Sequence, residues 1–429
     1  MEVISRKESL FAISSFVVLA LTGYLLQVFI GHAFGVEGLG EFNGLLAYFL
    51  VFSLIATLGS NFGVLAFIVP VNSQGSENQN IQYLSESIVL ALLGSIIVVS
   101  LTWFLILGIG LRYLVNNELV LCTSISIVFF AINKALLAYL NARGEMVQYY
   151  VIQSVRYLLM LVFAIVVTIG YKDIDNIWLV FVGAEVLLFI VLVLLMNNEV
   201  QFLKMMSGFS TKQLIPGKSP FLSHSLKALP NGVMQELAVR VDVIMLTLMI
   251  GSQNVGYYSV AAMIAEGLNQ ILVVWRDSFT SRFSLLFKTS KQNLRSYIIG
   301  LMYRGIFGFT IVCISAIMVY KFIIGYLFSL EIAELSFTIF STLTLGLVLS
   351  STFTLFQYLP NQIGMPRLMS AIICASIVVN ICANYYLIPI YQGFGAALAT
   401  MISYVVASVI FGSWLFVQLK NWRMDQINT

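Results

Sequence analysis

The stretch Leu10-Phe-Ala-Ile-Ser-Ser-Phe-Val-Val-Leu-Ala-Leu-Thr-Gly-Tyr-Leu-Leu-Gln-Val-Phe-Ile30 carries no charged residue from end to end. About 20 apolar residues in a helix suffice to cross a bilayer, and in hydrocarbon every backbone N–H and C=O must be paired within its own segment. The run follows Arg6 and Lys7, is too long for a signal-peptide core and lacks a convincing cleavage site. It reads as a retained first membrane helix.

The same pattern recurs along all 429 residues, of which 60% are hydrophobic and 10% charged. An ordinary soluble domain has about 25% charged residues, so a soluble fold is excluded. Helices are expected at 8–33, 41–70, 83–111, 118–141, 147–170 and 176–197, and again at 221–250, 256–281, 296–320, 335–359, 367–388 and 392–418. The fold class is therefore all-α integral membrane, with about twelve transmembrane helices. Pro70, Pro360, Pro366 and Pro389 fall at or near expected ends, where a missing N–H does least harm.

Basic residues set the topology, because cytoplasmic loops are enriched in Lys and Arg. With both termini inside, the inner segments hold Arg6, Lys7, Arg143, Lys204, Lys212, Lys218, Arg282, Lys288, Lys291, Arg295, Arg367, Lys420 and Arg423. The outer segments hold only Arg112, Lys172 and Lys321. Thirteen against three favours an even number of spans and two cytoplasmic ends.

The longest polar interruption surrounds Lys204, Lys212, Pro216-Gly217 and Lys218. It divides the chain into a first six-helix lobe (1–198), a cytoplasmic linker (199–220) and a second six-helix lobe (221–429). Two short segments match across that divide. Gly35-Val-Glu-Gly-Leu-Gly40-Glu-Phe-Asn43 parallels Gly251-Ser-Gln-Asn-Val-Gly256-Tyr-Tyr-Ser259, with offset 256 − 40 = 216. Tyr139-Leu-Asn-Ala-Arg-Gly144 parallels Tyr358-Leu-Pro-Asn-Gln-Ile-Gly364, with offset 364 − 144 = 220. Matches in the same order at nearly equal spacing point to duplication of a six-helix unit. An even helix number per unit puts both copies in the same orientation, related by a pseudo-two-fold axis along the membrane normal with a cleft between them.

These motifs, with Arg240-Val-Asp242, Gln362-Ile-Gly-Met-Pro-Arg367, Asn380, Asn384, Leu387-Ile-Pro389 and Gly393-Phe-Gly-Ala-Ala-Leu-Ala-Thr400, give the chain its likeness to a family. It resembles the O-antigen and polysaccharide flippases of the multidrug, oligosaccharidyl-lipid and polysaccharide exporter superfamily. The resemblance covers nearly the whole chain, although each motif alone mostly reports turns and close helix packing. It implies a V-shaped pair of lobes around a central cavity in the cell inner membrane. By alternating access these would carry undecaprenyl-diphosphate-linked oligosaccharide from the cytoplasmic to the periplasmic face, beside a polysaccharide polymerase and a chain-length regulator. It implies neither enzymatic activity nor a nucleic-acid partner.

An ionisable residue at the bilayer centre costs about 2.5–3.5 kcal/mol on insertion scales, so it is expected to face a partner or a wet cavity. The intramembrane bases are Lys134, Arg156, Arg240, Arg276 and Arg304; the acids are Glu185, Glu236, Asp242, Glu266 and Asp277. A lipid diphosphate crosses a low-dielectric barrier more easily past fixed cations, and arginine's planar fork suits phosphate. Lys134, Arg156, Arg240 and Arg304 are therefore the substrate-binding candidates. Their structural alternatives are snorkelling, or pairing such as Lys134 with Glu185; for Arg276 beside Asp277 the structural reading is preferred.

Glu236 and Arg240 stand four apart on one helix, the spacing of an ion pair. Asp242 points elsewhere and needs its own partner. Pro230-Asn231-Gly232 interrupts the same helix, which makes Pro230 a hinge or a static kink. The bodies of the first two spans contain no acid, so a carboxylate coupling transport to an H+ or Na+ gradient is expected at Asp242 or Glu266, with uncoupled transport as the alternative. Glu236 and Pro230 join them as gating candidates.

Other chemistries lack their signatures. His32 and His224 lie near opposite helix ends, and no metal site is expected. Cys122, Cys313, Cys374 and Cys382 sit in or at the edge of apolar runs, as packing residues. Gly108-Ile-Gly110 and Gly393-Phe-Gly395 lack the strand-to-helix context of nucleotide binding. Tyr149, Tyr150, Tyr257, Tyr258, Tyr385 and Tyr386 are expected in an interfacial belt, with sugar stacking as the alternative. Two rival functions remain: a cation-coupled multidrug exporter on the same scaffold, and a polysaccharide polymerase or glycosyltransferase, which the short outer connections disfavour.

Overall fold

In the computed structural model of the chain, residues 6–68, 77–108, 117–171, 174–196 and 219–424 are described, and helix is the only regular structure among them. The helices are α1 (Arg6–Ala56), α2 (Ser60–Phe67), α3 (Glu77–Gly108), α4 (Asn117–Arg143), α5 (Met146–Tyr171), α6 (Leu179–Met196), α7 (Pro220–Met249), α8 (Ser252–Thr289), α9 (Lys291–Leu327), α10 (Leu330–Phe356), α11 (Leu359–Gln362) and α12 (Pro366–Met424). Nine of the described helices are long and apolar enough to cross a membrane. Two of these, α1 and α12, each join two helical segments across a break, at Gly35 and at Gln392. The expected all-α membrane architecture is thus the observed one.

Helix ends follow local chemistry. Pro220 and Pro366 are the first residues of their helices, where proline's absent N–H goes unmissed. Ser219 Oγ accepts from the Leu222 N–H at 3.2 Å, Ser290 Oγ from Asn293 at 3.3 Å and Ser329 Oγ from Ile332 at 3.2 Å, each capping the helix that follows. The inner connection expected between 281 and 296 is itself helical apart from Ser290. Lys291 and Arg295 consequently lie in the first turns of the helix that carries the next apolar span and not on a loop.

The chain divides into two compact units: Met1–Phe34 with Leu45–Glu236, and Gly35–Gly44 with Leu237–Thr429. The division passes through α7, whereas most of the expected linker, 199–220, lies outside the described residues. Close packing accounts for this. A Cβ on Gly59 would overlap the carbonyl oxygen of Ser225, and one on Gly63 the side chains of Ser225 and Phe221. The first half of α7 therefore lies hard against the turn before α2 and belongs with it.

In the first unit α4 is central, packed against α2, α3, α5 and α6. Phe49 meets Phe130 and Phe181 with ring centroids 5.2 Å apart in both cases. Ser15 on α1 donates to the Tyr150 carbonyl and is hydrogen-bonded to Ser154 on α5; small hydroxyl residues of this kind hold membrane helices together where apolar burial gives no drive. In the second unit α10 is central, against α8, α9 and α12. Buried Tyr320 stacks on Phe340 at 4.1 Å and donates to Ser336 Oγ at 2.8 Å. On the opposite side of α9, Phe307, Met318, Phe322 and Tyr326 are 71%, 80%, 77% and 85% exposed. Such a largely apolar face suits hydrocarbon, not water, and exposed Arg304 lies on the same side nearer the start of the helix.

The repeated motifs have equivalent conformations. Gly35 and Gly251 have φ of 71° and 103°, and Gly144 and Gly364 have 84° and 87°, all in the left-handed region that glycine tolerates. Within the second unit the two copies of the first motif interlock: a Cβ on Gly40 would overlap the Ser252 carbonyl oxygen, and one on Gly256 the Val36 carbonyl oxygen. Ser252 and Val36 are themselves related by the repeat offset, 252 − 36 = 216. The contact is reciprocal, as a two-fold relation between copies requires.

Candidate functional site

Among the described residues, each unit holds a buried cluster built around a carboxylate and side chains from neighbouring helices. In the first unit Glu185 of α6 is fully buried, and Arg156 of α5 approaches it with Nε 2.9 Å from Oε1 and Nη2 donating to Oε2 at 3.4 Å. Asn133 of α4 donates from Nδ2 to Glu185 Oε2 and to the Glu185 carbonyl, both at 2.9 Å. One side chain thus fixes both the carboxylate and the backbone of α6. The Arg156 guanidinium lies 4.5 Å from the Phe130 ring centroid, and Lys134 Nζ lies 5.9 Å from the same ring. Lys134 is within electrostatic reach of Arg156, Glu236 and Glu185. Two bases and two acids therefore share the neighbourhood, and their charges balance.

The pair with Glu185, weighed as the structural alternative for Lys134, falls to Arg156, a substrate-binding candidate. Arg156, not Lys134, holds Glu185, because the planar guanidinium reaches both carboxylate oxygens while stacking on Phe130. Arg276 behaves as the structural reading expected: Nε donates to Asp277 Oδ1 at 2.9 Å, Nη1 donates to Gln357 Oε1 at 2.8 Å, and the guanidinium lies over Tyr358 at 4.2 Å. Arg304 is exposed on α9. Arg240 is half-buried and Glu266 exposed, on α7 and α8. Pro230 sits in an α7 that runs helically through it, so the backbone loses one hydrogen bond there without a break. The unit boundary follows within two turns, between Glu236 and Leu237.

In the second unit Asp242 of α7 is 5% exposed. Tyr258 of α8 donates its hydroxyl to Oδ2 at 2.7 Å, Asn384 of α12 donates to Oδ1 at 2.6 Å, and the Thr400 hydroxyl, also on α12, donates to Oδ2. All three donors are neutral. Asn384 also donates to Asn380 Oδ1 at 2.9 Å, and Asn380 to Thr400 Oγ1 at 3.4 Å. The break at Gln392 makes this possible: it folds α12 back so that Asn380 and Asn384 on one segment face Thr400 on the next. Tyr404 is within electrostatic reach of both Asp242 and Glu266. The Asn384 Oδ1 atom is buried without a hydrogen-bond partner, and buried acceptors are seldom left so.

The cluster can thus offer oxygen atoms from one carboxylate, two amides and a hydroxyl, the ligand type that hard cations take. No group of three or more His, Cys, Asp or Glu side chains is gathered among the described residues. Asp242 was marked by its charge and by the Arg240-Val-Asp242 motif, whereas Asn380, Asn384 and Thr400 entered only as parts of motifs. Their signal was two asparagines four apart in an otherwise apolar run, which puts both on one helix face. Tyr258 corrects an expectation: it is buried at Asp242 and is not a belt residue, while Tyr385 and Tyr386 are 63% and 70% exposed. Cys374 and Cys382 are likewise exposed, whereas Cys313 is buried and Cys122 half-buried; the first two do not pack as expected.

No family model matches the chain, and no curated protein does. Among solved structures it is similar to the lipid II flippase MurJ in an inward closed conformation, with a TM-score of 0.74 and 17% identity over 97% of this chain and 90% of that chain. It is similar to a multidrug resistance MATE family transporter of the MOP superfamily in its inward-facing conformation, with a TM-score of 0.73 and 12% identity over 96% and 99%. A MATE family transporter in an outward-facing conformation gives a TM-score of 0.56 and 13% identity over 96% and 94%. The chain has the fold of these transporters and is a multi-pass membrane protein.

Proposed function

We propose that this chain is a flippase that moves undecaprenyl-diphosphate-linked oligosaccharide from the cytoplasmic to the periplasmic face of the cell inner membrane by alternating access, with no enzymatic step. One observation carries the mechanistic part: a buried carboxylate, Asp242, whose hydrogen bonds come from neutral donors. An ionised group in that position is uncompensated, and burying such a charge is costly unless a counter-charge joins it. A proton or Na+ entering beside Asp242 supplies that counter-charge, and its release on the opposite side couples the gradient to the conformational change. Glu266 is the second coupling candidate.

The diphosphate end of the substrate is assigned first to Arg304, exposed on α9, with Arg240, half-buried on α7, Arg156, held by Glu185, and Lys134, which shares its surroundings with two acids, as the further candidates. Lys134 and Arg156 take part by exchanging a carboxylate for a phosphate. Glu236 and Pro230, just before the boundary between units in α7, serve as the gating elements. The likeness to a structure described as a lipid II flippase supports a lipid-linked cargo. In a strain deleted for the gene, lipid-linked oligosaccharide should accumulate on the cytoplasmic face. Normal surface polysaccharide in that strain would overturn the assignment.

The second reading, a cation-coupled multidrug exporter, is favoured by the same Asp242 cluster and by the likeness to MATE family transporters. Drug hypersensitivity of the deletion strain, reversed by the wild-type chain and not by Asp242→Asn, would select it.

A further inference from the structure

At one end of the second unit a cavity of about 410 Å³ is lined by Phe287, Lys291, Ile363, Met365, Gln418, Asn421 and Trp422. Three distant parts of the chain build it: the α8–α9 junction, the turn between α11 and α12, and the end of α12. The membrane level is marked by the spans themselves, since one begins at Lys291 and another ends at Trp422. Trp422 is buried against Phe287 with ring centroids 6.1 Å apart, and tryptophan favours the headgroup boundary. Arg295 Nε donates to the Leu419 carbonyl at 3.2 Å, tying α9 to the end of α12 beside the opening.

The charge pattern is predominantly basic. The segments 285–297, 359–370 and 414–425 contain Lys288, Lys291, Arg295, Arg367, Lys420 and Arg423 against a single acid, Asp425. An ammonium and two carboxamides line the polar side of the cavity, while Ile363, Met365 and Phe287 offer apolar walls. A ligand that fits is anionic, rich in hydrogen-bond acceptors and continuous with an apolar chain. Basic pockets at the cytoplasmic ends of membrane helices have this character.

We infer that this cavity binds the phosphodiester headgroup of an anionic phospholipid of the surrounding leaflet, at a site separate from the Asp242 cluster and independent of the transported cargo. Lys291 contacts the phosphate, Gln418 and Asn421 take its remaining oxygens or the glycerol hydroxyls, and the acyl chains leave past Met365 and Phe287.

The full-length chain, purified in detergent, is titrated with phosphatidylglycerol or phosphatidylcholine, and bound lipid is read by native mass spectrometry. One tightly held phosphatidylglycerol is expected, with at least fivefold preference over phosphatidylcholine. Lys291→Gln should weaken it by about fivefold, the effect of one near-surface basic charge. Gln418→Leu, on the facing wall, provides an independent loss should the first variant misfold, and Lys321→Gln, outside the cavity, should change nothing. Equal retention of the two lipids, or unchanged phosphatidylglycerol binding in both cavity variants, would overturn the inference. Inorganic phosphate displacing the lipid at equal concentration would overturn it too, by showing a free-anion site.

Discussion

Removing the Glu185 carboxylate with Glu185→Ala tests the buried cluster of the first unit most directly. The wild-type carboxylate receives Arg156 at 2.9 Å and Asn133 at 2.9 Å, and it is fully shielded from solvent. Without it, Arg156, 8% exposed, keeps its charge but loses its counter-ion, and Lys134 becomes a like-charged neighbour with Glu236 as the remaining acid within electrostatic reach of Lys134. Breaking a buried pair from one side costs about 3–5 kcal/mol, a large share of the roughly 5–15 kcal/mol that holds a typical protein folded. The double variant Glu185→Leu with Arg156→Met removes both charges and should regain most of that loss. The assay is reversible unfolding of the purified chain in mixed micelles, followed by circular dichroism for the wild type, Glu185→Ala, and the cycle of Glu185→Leu, Arg156→Met and their double. Strong non-additivity is expected. A Glu185→Ala variant within about 1 kcal/mol of wild type, or four values that simply add, would show that the pair seen here is not the one that stabilises the fold.

Four further outcomes follow from other parts of the structure. Asp242→Asn should leave insertion and folding intact, since an amide can still accept from Tyr258 and Thr400, while abolishing the dependence of transport on Na+ or H+ gradients in proteoliposomes; retained dependence would move coupling to Glu266. Thr400→Val removes one of the three donors and should cost about 1–3 kcal/mol of stability, measured in the same unfolding assay. Arg304→Ala should lower flux without altering yield or melting temperature because the side chain is exposed, with partial rescue by lysine; wild-type flux would remove Arg304 from the substrate path. Gly40→Ala and Gly256→Ala each force a methyl into a backbone carbonyl and should cost at least the roughly 1–3 kcal/mol of an overpacked core, seen as reduced membrane yield, whereas Gly300→Ala, with open space at its Cβ position, should express normally.

Hydropathy and charge in the sequence determined the membrane class and the approximate spans, because both rest on local composition. A helix in hydrocarbon satisfies its own backbone, so an apolar run needs no distant partner to be recognised. Gly35, Gly144, Gly251 and Gly364 entered as members of the matched motifs, and the structure added their left-handed conformation. Only tertiary structure decided which charges answer one another. Arg156 rather than Lys134 reached Glu185 because helices α4, α5 and α6 meet at Phe130, and Asp242 found Tyr258, Asn384 and Thr400 because α12 folds back at Gln392. The first half of α7 joined the first unit through Ser225 and Gly59, a contact between residues far apart in sequence that no local pattern announces. Side-chain partnership across helices depends on the rotation and depth of each helix, which hydrophobic periodicity leaves free once all faces are apolar.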